Sequence, residues 1–180
     1  MKHIILEKET KYLKKEYAIE SDLTSIFKKN HKDIISQKSL WINIEKKFKS
    51  KNFQDSICDG FLLVWENPTT PLLYLTEIEL EKHSMDKHIL PQLGNFISFI
   101  QRATRDELNE VRGYIYDEVK KNKIIFKQIQ SDSEHEVHEL IDNAIEDLQI
   151  LLVIDRVKPE LSIGLSQIEK TINIKIRKIE

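Results

Sequence analysis

Cysteine occurs once in the 180 residues, as Cys58, so no disulfide can form within the chain and a reducing compartment is expected. Glycine and proline number four each, too few for low-complexity segments or long flexible linkers. No apolar run approaches the ~18 residues of a membrane span, and the opening MKHIILEKETK is too briefly apolar for a signal peptide. A soluble, cytoplasmic protein is the expectation. A glycine-rich phosphate loop, an HExxH pattern and a Ser/His/Asp arrangement are all missing, which argues against three familiar hydrolytic designs. Strong charge of either sign is missing too: the net charge is -2, so no global field draws in nucleic acid.

What is present is a core. Apolar residues make up 40% of the chain, enough for one domain spanning residues 1–180. Residues 1–16 give no clear pattern. Ile19, Leu23, Ile26 and Phe27 recur at helical spacing between Tyr17 and Asn30. WINIEKKFK, from Trp41 to Lys49, reads as a strand and turn. ICDGFLLVW and LLYLTEIELE read as two strands joined by the turn ENPTTP. His88 to Ala103 returns to helical spacing, with Pro91 tolerable in a first turn.

A helical insertion is expected over 104–147, built from two amphipathic helices. The first carries Leu108, Val111, Ile115 and Val119; the second carries Val137, Leu140, Ile141, Ala144 and Ile145 and starts near SDSE. IIFKQI between them reads as a short strand or a loop. LQILLVID is apolar almost throughout, as a strand covered on both faces in a parallel sheet would be. Pro159 to Lys170 is helical, and TINIKIRKIE alternates like an edge strand. The order is an α/β fold, a sheet flanked by helices.

Three acids interrupt the apolar strands. Strand side chains alternate faces, so Glu77, Glu79 and Glu81 share one face while Thr76, Ile78 and Leu80 share the other. A hairpin would set Asp59 beside Glu77 and Glu79. At ~5 Å and an effective dielectric near 20, each carboxylate pair would repel by roughly 3 kcal/mol. A proton or a cation relieves such a cluster, and oxygen ligands of this kind suit Mg2+ or Mn2+.

Those residues resemble the PD-(D/E)XK nuclease superfamily. The similarity is carried by IESDLTSIFKKNHKDII, ICDGFLLVW, LYLTEIELEKH and HILPQLGNFISFI, roughly Ile19 to Ile100, with LQILLVID as a further core strand. The resemblance implies a restriction endonuclease-like core (α-β-β-β-α-β, a mixed sheet flanked by helices). It implies metal-dependent cleavage of nucleic acid, DNA before RNA, in restriction, repair or defence. Asp59 takes the motif aspartate, Glu77 the second acid, Glu79 the place usually held by lysine, and Gln92 the glutamine of the following helix. Glu20, Asp59, Glu77 and the Ile78 carbonyl become the expected metal ligands, for Mg2+ or Mn2+. Two departures stand out: Cys58 where proline is usual, and the missing lysine. The second leaves open an inactive relative that binds nucleic acid or a partner protein. A homodimer is an expectation by analogy alone.

Other residues divide between structural and functional readings. Glu20 also suits a helix start on dipole grounds, with Glu16 competing for its role. Glu81 reads as a rim charge, and Asp155 as a turn or cap at a strand end. His83 and His88 follow the motif strand and are candidates to touch phosphate. His135 and His138 admit only a weak zinc reading. Trp41, Trp65 and Tyr74 read as packing residues, with Trp65 a candidate to stack a base. Lys28-Lys29, Lys46, Lys47, Lys49, Lys51 and the 120–123 cluster are solvated faces, or a phosphate-tracking patch if they lie beside the acids. A module that oligomerises through the 104–147 insertion is the remaining alternative.

Overall fold

Five strands form the central sheet in sequential spatial order. In the computed structural model, which describes residues 4–7, 10–13, 17–44, 58–133, 136–172 and 175–179, these strands are β3 (Ser39–Asn43), β4 (Gly60–Val64), β5 (Leu72–Glu79), β6 (Leu148–Ile154) and β7 (Ile176–Ile179). β3, β4 and β5 are an antiparallel meander, whereas β6 and β7 run parallel to β5. The sheet is therefore mixed, and β7 is an edge, as its alternating sequence implies. A separate hairpin of β1 (Ile4–Glu7) and β2 (Thr10–Leu13) precedes it. The chain's first sixteen residues gave no sequence pattern from which to expect that hairpin.

Loop chemistry sets the β4–β5 register. Asn67 Oδ1 accepts from the Thr69 backbone N–H at 3.2 Å and its hydroxyl at 2.8 Å, and the Thr70 N–H donates to the Asn67 carbonyl at 3.1 Å. This Asx-type turn fixes the pairing of Val64 with Leu72 and of Gly60 with Thr76. Trp41, at the start of the strand and turn expected over Trp41 to Lys49, falls in β3; residues 45–57, among them Lys46, Lys47, Lys49 and Lys51, lie outside the described residues, as does Glu16.

The sheet separates two apolar cores. On one face, α1 (Glu20–Ile34) lays Leu23 and Phe27 against Leu62, Tyr74, Ile78, Leu80 and Leu151. On the other, Phe61, Leu63, Leu73, Leu75, Ile150 and Leu152 meet α2 (Leu90–Arg102), α3 (Arg105–Lys121), α5 (Val137–Glu146) and α6 (Pro159–Ile172). Both parallel connections cross this second face, as successive crossovers of one hand stepping the same way across a sheet must.

Between α3 and α5, the IIFKQI segment is a helix, α4 (Lys123–Asp132), and neither strand nor loop. Ile125 and Ile129 are four residues apart and both buried, a helical spacing that outweighs the β-branched composition. Asn122 caps α4 by accepting from the Ile125 N–H at 3.2 Å. The insertion thus holds three helices where two were expected. SDSE does not open the last of them: Ser131 and Asp132 end α4, and α5 starts from a Glu136/Glu139 capping box. A π-helical turn (Met85–Ile89), capped by Ser84, leads into α2, and Pro91 sits in that helix's first turn. Trp65 is fully buried, so it packs and cannot stack a base; Tyr74 is buried as well. No helix among the described residues is long and apolar enough to cross a membrane.

Candidate metal centre

Asp59 lies immediately before β4, whose first residue Gly60 pairs with Thr76, the neighbour of Glu77. Its backbone N–H donates to the Thr76 carbonyl at 3.0 Å, and its Oδ2 accepts from the Ile78 N–H at 2.7 Å. The Asp59 carboxylate thus stands in for a backbone carbonyl on the β4 side as the acceptor for this β5 N–H. Gly60, the neighbour of Asp59, has no room for a side chain. A Cβ there would lie 2.2 Å from Trp41 Cζ2 and 2.8 Å from the Ile42 carbonyl oxygen.

Glu77 and Glu79 continue the face of β5 that carries Leu73 and Leu75, in register with Leu152 and Ile154 of β6. They are only 4% and 3% exposed. Burial, reinforced by Asp59, Glu79 and Glu20, pushes the Glu77 carboxyl up to about 9. Its Oε2 is buried without any hydrogen-bond partner. Burial likewise raises Asp59 to about 6; the bond from Ile78 opposes this, Glu20 and Glu79 add to it, and Lys28 lowers it.

Glu20 opens α1 and reaches the same strand end from the other layer. Burial raises its carboxyl, Glu79 adds to the rise, and His83 and His88 offset part of it. His83 stands in the turn after β5, where its N–H donates to the Leu80 carbonyl at 2.9 Å. Its Nδ1 donates to Glu79 Oε2 and lies 3.4 Å from Glu20 Oε2. Ligand atoms of Glu20, Glu79 and His83 all fall within 4.8 Å of one another, so this group could hold a metal ion. The His88 ring is 5.9 Å from that of His83.

The four acids named from the sequence are therefore gathered at one end of β4 and β5. Ile78 belongs to the site through its N–H. Gln92 sits in the first turn of α2 with its Oε1 buried and unpartnered. His83 as a potential ligand is what the sequence reading missed. The signal was the Glu79-to-His83 spacing in ELEKH, which becomes a contact only because the strand ends and turns there.

Glu81 and Asp155 stand apart from this group in their bonding. Glu81 faces Arg156 at 3.8 Å and Lys158 at 3.9 Å, and Asp155 Oδ1 accepts from the Glu81 N–H at 2.7 Å. Cys58 is buried, and burial raises its thiol well above the ordinary range, which suits packing and not nucleophilic attack. His138 is exposed beside Glu136, while His135 lies outside the described residues. Lys28 is the basic residue beside the acids, with its Nζ 5.2 Å from the Trp41 ring centre. Trp41 and Asn43 also line an open groove of about 590 Å³ with Lys121 and Lys123.

Searches of protein-family models, curated proteins and solved structures find no match to this chain.

Proposed function

We propose that this chain is a metal-dependent phosphodiesterase of nucleic acid, most directly DNA, built on a restriction endonuclease-like core. The order of α1, the antiparallel meander, α2 and the parallel β6 supports that core. One observation carries the chemistry: Glu77 is buried beside Asp59 with a carboxyl oxygen that has no hydrogen-bond partner. Leaving such a group unpaired costs about 1–3 kcal/mol or more. A cation satisfies it, and the donor set of carboxylates and backbone fits a hard divalent ion such as Mg2+ or Mn2+.

Asp59 and Glu77, with the Ile78 carbonyl, would hold that ion, and Glu20 a second one or its hydration shell. A divalent ion bound there polarises the scissile phosphate and lowers the pKa of water. Glu79 occupies the usual lysine position and accepts a proton from the attacking water, a role open to a carboxylate. Gln92, with a free acceptor oxygen in α2, hydrogen-bonds that water or the substrate. Lys28, Lys121 and Lys123 offer phosphate contacts along the side marked by Trp41.

The test is hydrolysis of plasmid, linear and single-stranded DNA, and of RNA, in Mg2+ or Mn2+. Asp59→Asn and Glu77→Gln should each lower the rate by about 100-fold or more. Equal cleavage by all three proteins would identify a contaminant and end the proposal. Tight DNA binding with no cleavage by wild type would favour the inactive binding module.

A further inference from the structure

We infer that Glu20, Glu79 and His83 form a cation position of mixed oxygen and nitrogen donors, which takes a zinc-like transition ion in preference to Mg2+. This rests on reading the strand end as a metal-dependent site, and assigns it a second, chemically distinct position.

The three donors come from separate elements: the first residue of α1, the last residue of β5 and the turn after it. Ligands around one ion at ~2.1 Å stand roughly 3 Å apart when adjacent and about 4 Å when opposite. His83 Nδ1 and Glu20 Oε2 already stand 3.4 Å apart, and the widest spacing in the group is within 4.8 Å. Closing onto an ion therefore needs side-chain shifts of less than about 1 Å, small beside the reach of two glutamates.

An ordinary ion pair leaves too much unexplained. One imidazolium can balance one carboxylate, yet Glu20 and Glu79 both face His83. The field of those two also bears on Glu77, whose Oε2 is buried and unpartnered. Among the described residues, no lysine or arginine forms an ion pair with Glu20, Asp59, Glu77 or Glu79. The imidazole then decides the ion. Mg2+ prefers oxygen and gives up water reluctantly, whereas nitrogen donors suit zinc-like ions, which bind more tightly along the first-row series.

The full chain, freed of metal, is titrated with Mg2+ and separately with Co2+ by calorimetry, and Co2+ binding is followed by visible absorption. Wild type should bind Co2+ more tightly than Mg2+ and show ligand-field bands. His83→Gln and Glu20→Gln should each weaken Co2+ by about 10–100-fold and alter those bands, and His83→Gln should leave Mg2+ within about two-fold. Both replaced side chains are partly exposed, and circular dichroism checks that the variants fold. Co2+ binding and spectra unchanged by both substitutions would overturn the inference, even with Asp59-dependent cleavage intact in Mg2+. Absent cleavage with a His83-dependent Co2+ isotherm would instead sink the nuclease reading and support this site.

Discussion

Two acid-bearing corners lie a few residues apart at the ends of β5 and β6, and their bonding is opposite. At the Glu81–Asp155 corner every acid has a match: Arg156 and Lys158 face Glu81, and Asp155 accepts from a backbone N–H. At the Asp59–Glu77 corner the acids face one another, and among the described residues none of them is held in an ion pair by a lysine or arginine. The first arrangement stabilises a chain reversal. The second costs stability, and a fold retains such a cost where a ligand removes it.

The contrast is sharpest as opposite signs of the same kind of substitution. Glu77→Gln should stabilise the metal-free protein at pH 8 by up to about 5 kcal/mol, read by denaturant unfolding. The sign follows from linkage. The folded carboxyl titrates near 9 and the unfolded one near 4.5, so folding takes up a proton between those values. Wild-type stability then falls as pH rises through that window, and the advantage of glutamine vanishes below about pH 4. A Glu77→Gln protein no more stable than wild type at pH 8 would place the two corners in one class. Asp155→Asn should do the reverse, destabilising by about 1 kcal/mol as the charge-assisted bond to the Glu81 N–H weakens. Smallest is Glu81→Gln: its pairs are long and partly solvated, so unfolding should move by less than about 0.5 kcal/mol and hydrolysis should not change.

Much of this was readable in the chain. Continuous apolarity in LQILLVID marked β6 as covered on both faces, and alternation in TEIELE put Glu77 and Glu79 on one side of β5. Those patterns survive because strand geometry is set locally. What escaped reading depends on approach. The Ile125 and Ile129 pair reveals a helix only once the apolar surface beneath it is known. Burial of Trp65 follows from helices supplied some thirty residues later and beyond. His83 meets Glu79 and Glu20 through a turn and a helix terminus that come together in three dimensions only.

β6 offers the acids a wall without charge: Leu152 and Ile154 stand beside Glu77 and Glu79. Low-polarity walls confine a field and send it out through the open side, where it is felt at a distance. If the proposed function holds, bare carboxylates there would repel a polyanion, and bound cations would let one approach. Loading would be sequential, divalent ion before nucleic acid, with the order written into an uncharged strand that touches neither.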